Sequence, residues 1–197
     1  MGNDVPRSCA NRLAIGAMSS VTEIEKAQIR KIRDKFAELG GGSNVISRDD
    51  FVEGLDTVEL VESDREILDR LFVMLDRRGE ERVNMKEFVV ALVPLVTGPT
   101  SAKLDFALEI YDFENFGKLD IASSTIVLAT LNSVASFFGD PVLRADQIDE
   151  VIDGAARALD PDESGFLPRT GLATFVAKHS LMVDFLEAKG SARYDAN

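Results

Sequence analysis

The sequence contains very little cysteine and histidine. Its 197 residues include one cysteine, Cys9, and one histidine, His179. A lone cysteine cannot form an internal disulfide, and one cysteine with one histidine cannot supply the four ligands of a structural zinc site. A disulfide framework and a Cys/His zinc centre are therefore excluded.

Long apolar runs and excess positive charge are also absent. No apolar run approaches the roughly 18 residues of a membrane-spanning helix, so we expect no stable membrane insertion. The 34 acidic and 22 basic residues give a net charge of −12, which argues against nucleic acid or an anionic membrane as the main partner. With 45% hydrophobic residues, the chain can bury a core, and we predict a cytoplasmic protein.

Catalytic patterns are scarce as well. His179 has no nucleophile or carboxylate arrangement around it, and Cys9 lies near the N-terminus with no base nearby. The glycine run at 40–42 follows a helical pattern and precedes no Gly-Lys-Ser/Thr sequence, so it indicates a helix end and not a phosphate-binding loop. The sequence predicts that the chain is not an enzyme.

One pattern repeats four times from Thr22 onward: a helix, a short polar loop with one apolar residue, and a second helix. The apolar loop residues are spaced 37, 36 and 48 residues apart. They are Ile46, Val83, Leu119 and Leu167. The longer last interval predicts a loop insertion between the third and fourth units.

This repeat resembles the EF-hand superfamily over 22–179. The resemblance implies an all-α fold of four helix–loop–helix units in two paired lobes, with short two-stranded β contacts between paired loops. Ile46 would then face Val83, and Leu119 would face Leu167. The implied organisation is a flexible N-terminal arm (1–21), an N-terminal EF-hand pair (22–97), a linker (98–102), a C-terminal pair (103–179), and a C-terminal helix and tail (180–197).

The first three loops lack parts of a calcium site, which needs oxygen ligands at alternate positions, a bend glycine and a glutamate at the twelfth position. The first loop, at 40–50, is one residue short and begins with glycine. The second has Arg78 at a ligand position and Glu81 at the bend, and we expect the arginines inside it to substitute for a bound ion. The third has Phe116 at a ligand position and Ser123 in place of the glutamate.

The fourth loop keeps most of the pattern. Asp160, Asp162 and Ser164 occupy alternate positions, and the carbonyl of Phe166 completes a candidate metal site. The twelfth residue is Gly171, which has no side chain, so we expect an affinity of about 0.1 mM or weaker. We therefore expect that no cofactor is required, with Ca²⁺ or Mg²⁺ at the fourth loop as the alternative.

Two segments resemble a particular branch of the superfamily, the one containing calcineurin B, the neuronal calcium sensors and calaxin. The segment TGPTSAKLDFALEIYDFENFGKLD has the short linker of that branch, and VAKHSLMVDFLEA resembles the end of calaxin. Calaxin-like proteins belong to outer dynein arms and their docking complexes. The resemblance thus implies a cilium or flagellum axoneme, with dynein docking proteins or tubulin as partners.

Partner contacts are predicted on apolar and basic side chains. An opened EF-hand pair exposes a groove for an amphipathic helix. Candidate groove and tail residues are Phe88, Leu92, Val93, Ile126, Leu131, Val134, Phe137, Phe138, Leu181 and Phe185. A candidate basic contact patch comprises Arg30, Lys31, Arg33, Arg77, Arg78 and Arg82. The alternatives are that the apolar residues form core, that the tail fills the second groove, and that the basic residues form a solvated surface with local ion pairs.

Three functions follow from these patterns. The leading hypothesis is a largely calcium-independent adaptor that binds an amphipathic or coiled-coil helix, and the resemblance to calaxin implies that it does so in an axoneme. The second is a calcineurin B-like regulatory subunit of an enzyme, although Pro6 stands where an N-myristoylation signal needs serine or threonine. The third is a weak calcium or magnesium sensor that works through the fourth loop.

Overall fold

A computed structural model describes residues 22, 24–96, 98–112, 114–137, 142–179, 183 and 186. The predicted N-terminal arm and most of the predicted tail lie outside these residues, and the domain bounds stay a prediction. Within the described part of the chain, no helix is long and apolar enough to cross a membrane.

Eight α-helices and four short strands form the described chain. The first half contains α1 (Lys26–Leu39), β1 (Val45–Ser47), α2 (Arg48–Asp56), α3 (Glu62–Leu75), β2 (Arg82–Asn84) and α4 (Met85–Ala91), followed by a 3-10 helix at Val93–Leu95. The second half contains α5 (Thr100–Glu109), β3 (Lys118–Asp120), α6 (Ile121–Phe137), α7 (Ala145–Leu159), β4 (Phe166–Pro168) and α8 (Arg169–Val176). The predicted mainly helical fold with short strand contacts is confirmed.

The strands pair as the repeat predicts. β1 and β2 are antiparallel with Ile46 opposite Val83, and β3 and β4 are antiparallel with Leu119 opposite Leu167. All four side chains are buried, at 5% exposure or less. Each pair of loops is therefore joined through one apolar contact on the core side of a two-stranded sheet.

Three of the four strands end on a residue whose side chain caps the helix that follows. Ser47 accepts a hydrogen bond from the backbone amide of Asp50, and Asn84 accepts from two amides at the start of α4. Asp120 accepts from the amide of Ser123 at 2.8 Å. Capping satisfies amides that have no partner in the first helical turn, so the turn from strand to helix is fixed locally. The fourth strand ends on Pro168, which makes no side-chain cap.

The core is continuous between the two halves. Four buried phenylalanines pack together in the first half, with ring centroids 4.6 to 6.5 Å apart. They are Phe36, Phe51, Phe72 and Phe88. Helix α4 packs on α6, which belongs to the second half, and buried residues of both halves form one cluster.

Polar contacts also join the halves, between α1 and α5. The guanidinium of Arg30 donates two hydrogen bonds to the carboxylate of Glu109, one from Nη2 to Oε2 at 2.8 Å. Lys26 Nζ donates to the carbonyl of Ala102 at 3.1 Å. Both basic groups also lie over the ring of Phe106, 5.3 to 5.4 Å from its centroid. Lys26, Arg30 and Glu109 thus join α1 to α5 beside the ring of Phe106, and we call this contact the charged clamp.

We expect Glu109→Gln to lower the free energy of unfolding by about 1 kcal/mol at pH 7, because Arg30 is partly exposed. The hydrogen bond from Arg30 lowers the pKa of Glu109. A lowered folded-state pKa means that the pair stabilises the fold above the unfolded-state pKa of about 4.3 and loses this contribution as pH falls. The difference between variant and wild type should therefore shrink below about pH 4 in urea titrations.

The control is Asp56→Asn, which removes the exposed partner of Arg65 and should change stability very little. Equal stability of Glu109→Gln and wild type at pH 7 would contradict the clamp.

Candidate functional site

The second, third and fourth loops share one backbone conformation. In each of these loops the fourth and sixth residues have positive φ angles, between 54° and 80°. These residues are Gly79 and Glu81, Asn115 and Gly117, and Glu163 and Gly165. The loops therefore keep the bend of an EF-hand loop even where the ligand residues are lost. In the second loop, Glu81 adopts the left-handed conformation that favours glycine.

A single aspartate closes each of these loops. The carboxylate of the first loop residue accepts hydrogen bonds from the backbone amides of the fifth and sixth residues, at 2.7 to 3.1 Å. These aspartates are Asp76, Asp112 and Asp160. The three loops are thus held in shape by bonds within the chain.

These bonds also favour the ionised carboxylates. The hydroxyl of Ser164 donates to Asp160 and lowers its pKa, together with the amides of Gly165 and Ser164. At Asp76, burial acts to raise the pKa, but the amides of Glu80 and Glu81 outweigh it and the pKa is lowered. Both groups are therefore held as acceptors at neutral pH.

In the first loop, the last acidic residue is used for capping. Asp50 lies in α2, and its carboxylate accepts from the backbone amide of Ser47 at 2.9 Å and from its hydroxyl at 2.7 Å. These bonds lower the pKa of Asp50. Its carboxylate is directed at the start of its own helix.

The second loop differs from the expectation that arginine fills it. Arg77, Arg78 and Arg82 are all exposed, and the Arg78 side chain is 82% exposed. They lie around an open cavity of about 480 Å³ that Asp76 and Glu87, the first and twelfth loop residues, also line. Positive charge therefore surrounds this loop instead of occupying its centre, because long side chains gain hydration by reaching into water.

The third loop uses its acidic residues within the chain. Asp120 binds the amide and hydroxyl of Ser123, and this pairing lowers the pKa of Asp120. The buried carboxylate of Asp112 lies 3.3 Å from Nη1 of Arg169, the first residue of α8. Phe116, at the fifth position of this loop, is 70% exposed, and its side chain offers no oxygen to a metal ion.

The fourth loop fits a metal in part. Asp160, Ser164 and the neighbouring Asp162 lie along the loop, with Phe166 in the strand that follows. The ninth residue, Pro168, has no oxygen in its side chain, and the twelfth residue is Gly171. A Cβ at Gly171 would lie 3.3 Å from Cδ2 of Leu159. Among the described residues, no group of three or more Asp, Glu, His or Cys is arranged to hold a metal ion.

Most of the candidate groove residues lie in the core. Phe88, Leu92, Val93, Leu131 and Val134 are at most 3% exposed. Ile126 is 54% exposed on α6. The side chain of Phe137 and the residues Phe138, Leu181 and Phe185 lie outside the described part of the chain. The partner-binding role stays a prediction, and it requires the pairs to open at the buried positions.

One described tail residue contacts the folded chain. Leu186 is fully buried, and its carbonyl accepts a hydrogen bond from Nζ of Lys103 at 2.9 Å. The same Nζ donates to the carbonyl of Pro94 at 2.7 Å. The buried ammonium of Lys103 therefore joins the 3-10 helix and the tail.

The candidate basic residues differ in their exposure and in their contacts. Arg30 pairs with Glu109 and Arg33 with Asp34, while Lys31 is exposed on α1. Arg78 pairs weakly with Glu80, with 3.9 Å between Nη1 and Oε1. Arg77 and Arg82 are exposed. A role for this patch in partner contact stays a prediction.

Comparisons with known proteins agree with the four-loop architecture. No protein-family model matches the chain. A recoverin family protein of Dictyostelium discoideum is 33% identical over 101 residues, covering 49% of this chain and 45% of that protein. The match therefore spans about half the length of that relative.

Two further relatives match over most of their length. Calcineurin B of Naegleria gruberi is 28% identical over 150 residues, covering 75% of this chain and 78% of that protein. The calcium-binding protein NCSA of Dictyostelium discoideum is 21% identical over 138 residues, covering 70% of this chain and 72% of that protein.

Among solved structures, a Streptomyces coelicolor calcium-binding protein, described in connection with prokaryotic calcium-mediated regulation, is 16% identical. The overlap covers 90% of this chain and 97% of that one with a TM-score of 0.26, too low to support an argument.

Four helix–loop–helix units joined through paired loop strands define an EF-hand protein. The relatives above, a recoverin family protein, a calcineurin B and a calcium-binding protein, fit a member of the EF-hand superfamily, and the chain is similar to each of them. That family consists of calcium-binding sensors and regulators. None of these relatives has a ciliary name, so the calaxin-like features stay a prediction.

We expect Glu81→Gly to stabilise the chain by about 0.5–1 kcal/mol, because glycine adopts the left-handed conformation at this bend without strain. This gain is partly offset by the larger conformational entropy of glycine in the unfolded chain. The amide that donates to Asp76 is retained. Thermal unfolding should show a rise in Tm of about 2 °C. The control is Glu80→Gly, one residue earlier and without a positive φ, which should destabilise; the same rise for both variants would contradict the strain.

We expect Gly171→Glu to raise the calcium affinity of the fourth loop from about 0.1 mM or weaker to about micromolar, because it restores the bidentate twelfth ligand. The side chain of Leu159 must move by a few tenths of an ångström to admit the new Cβ. Isothermal titration calorimetry measures the change. Gly171→Gln has nearly the same size without the charge and should bind no better than wild type; a folded Gly171→Glu variant with unchanged affinity would contradict the assignment.

Proposed function

We propose that this chain is a non-enzymatic EF-hand adaptor that binds an amphipathic or coiled-coil helix of a partner protein without requiring calcium or another cofactor. The observation that carries the proposal is the closure of three loops by their own first aspartates. The third and fourth loops also lack the twelfth carboxylate, so calcium would add few new bonds there. If metal binding is weak, the part of the protein that remains to act is the surface that contacts other proteins.

Helix binding is supported by the character of α4 and α6. Their buried apolar residues would line a groove after opening, as in other helix-in-groove complexes. We propose that the buried residues contact the partner helix in this groove; they are Phe88, Leu92, Val93, Leu131 and Val134. We propose the same contact for the exposed Ile126 and for Phe137, Phe138, Leu181 and Phe185, whose side chains lie outside the described part of the chain. The basic residues Arg30, Lys31, Arg33, Arg77, Arg78 and Arg82 would face an acidic partner surface.

The finer assignment is a subunit of an outer dynein arm docking complex in an axoneme, with dynein docking proteins or tubulin as partners. It rests on the calaxin-like linker and tail sequences. None of the relatives reported above is described as ciliary.

A calcineurin B-like regulatory subunit is the second candidate. The 28% identity with calcineurin B extends over 150 residues, which favours it. In that case the partner would be the catalytic chain of an enzyme. A weak calcium or magnesium sensor is the third candidate, favoured by the ordered arrangement of Asp160 and Ser164 in the fourth loop.

The test is affinity purification with the full chain as bait, once in EGTA and once at about 10 µM free calcium, a concentration that fills micromolar sensor sites. We expect the same protein, with an amphipathic or coiled-coil helix, under both conditions. Ile126→Glu should lose it, because Ile126 is 54% exposed on α6. Val73→Glu is the matched control, since Val73 is 62% exposed on α3, and it should retain the partner.

Recovery of a phosphatase catalytic chain would favour the second candidate. Capture that requires calcium would contradict calcium independence and favour the third.

A further inference from the structure

The carboxylate of Asp112 is almost fully enclosed. Only 3% of its side chain is exposed. The backbone amides of Phe116 and Gly117 donate to its two oxygens at 2.9 and 2.8 Å. These neutral donors do not cancel the charge, and an enclosed ionised carboxylate requires a positive group nearby. In a calcium-loaded EF-hand loop, the ion itself supplies that charge.

Arg169 supplies the positive charge here. Its Nη1 lies 3.3 Å from Oδ2 of Asp112, and its Nε lies 3.1 Å from Oδ1 of Asp105. The Arg169 side chain is 15% exposed, so this bridge is mostly removed from water. One guanidinium therefore joins α5 to the first position of the third loop. The rigid planar fork of arginine suits such a double contact.

The strand register explains why Arg169 reaches the third loop from the fourth. Pro168 lies opposite Lys118 in the sheet of β3 and β4. The next residue, Arg169, donates its backbone amide to the carbonyl of Gly117 at 3.0 Å. Backbone and side chain of Arg169 thus both bind the third loop, and α8 packs directly on α5.

We infer that the guanidinium of Arg169 is a built-in cation for the third loop. It neutralises Asp112, the residue that a calcium ion would otherwise engage, and it holds the third and fourth loops together in the absence of metal. Calcium could use Asp112 only by displacing this group. The inference deepens the proposed calcium independence and rests on it, but it concerns one loop and one residue.

Competition with calcium tests the inference directly. Phe116→Asp and Ser123→Glu together restore the fifth and twelfth ligands of the third loop. Calorimetric calcium titration then compares this double variant with a triple variant that also carries Arg169→Gln. We expect the triple variant to bind calcium at least about tenfold more tightly, because a fixed positive charge no longer opposes the ion.

The matched control is Arg144→Gln in the same restored background. It makes the same change of charge in the same half of the chain, but Arg144 and its partner Asp146 are 70% and 64% exposed. Exposed pairs are strongly screened, so we expect less than about a twofold change in affinity. If the double variant and the triple variant bind calcium with equal affinity, the inference is overturned.

Stability supplies a second readout, in the otherwise native chain. Arg169→Gln should lower the Tm by about 5–10 °C, because it leaves an enclosed carboxylate without its counter-charge. Adding Asp112→Asn should recover part of that loss. An unchanged Tm, or no recovery, overturns the inference.

If the triple variant does not fold, Arg169→Lys replaces Arg169→Gln in the titration. Lysine keeps the charge but cannot hold both carboxylates, so this variant is expected to bind calcium more tightly than the double variant, and an affinity equal to that of the double variant contradicts the inference. The helix-binding test of the proposed function uses native loops, and its outcome is independent of these titrations.

Discussion

The fold depends on a hydrogen-bonding pattern that recurs in three loops. The carboxylate of the first loop residue accepts bonds from two backbone amides of the same loop, so Asp76, Asp112 and Asp160 each close a turn. The closed turn places the following strand beside its partner, and the strand residue then caps or begins the next helix. Loop shape, strand register and helix direction are therefore coupled, and each is maintained within the chain.

Closed loops have consequences for the helices. The exiting helices α4 and α6 turn their apolar side chains into one core, and the clamp between Arg30 and Glu109 holds the two halves together. The partner helix that we propose must then offer enough apolar contact to offset the opening of this core. Such a scaffold suits the lasting, calcium-independent assembly that we propose.

Much of this could be predicted from the sequence. One apolar residue in each loop predicts the strand register, as at Ile46 and Val83, because only that residue can face the core. The loss of calcium ligands can also be predicted from the sequence, since the ligands stand at fixed positions of each loop. The contact of Arg169 with Asp112 joins residues 57 apart, and the Arg30–Glu109 pair joins residues 79 apart. Such contacts depend on packing, and the same apolar residues of α6 serve a core or a groove equally well.

The most direct test of the account is thermal unfolding of the native chain in EGTA and at about 10 µM free calcium, since a site with a Kd of about 1 µM would add about 1.4 kcal/mol at that concentration. The account predicts midpoints that agree within about 1 °C, because a site of about 0.1 mM is almost empty there. A rise in Tm of about 4 °C or more in calcium would reveal a filled site and contradict the claim that the chain holds its loops without metal.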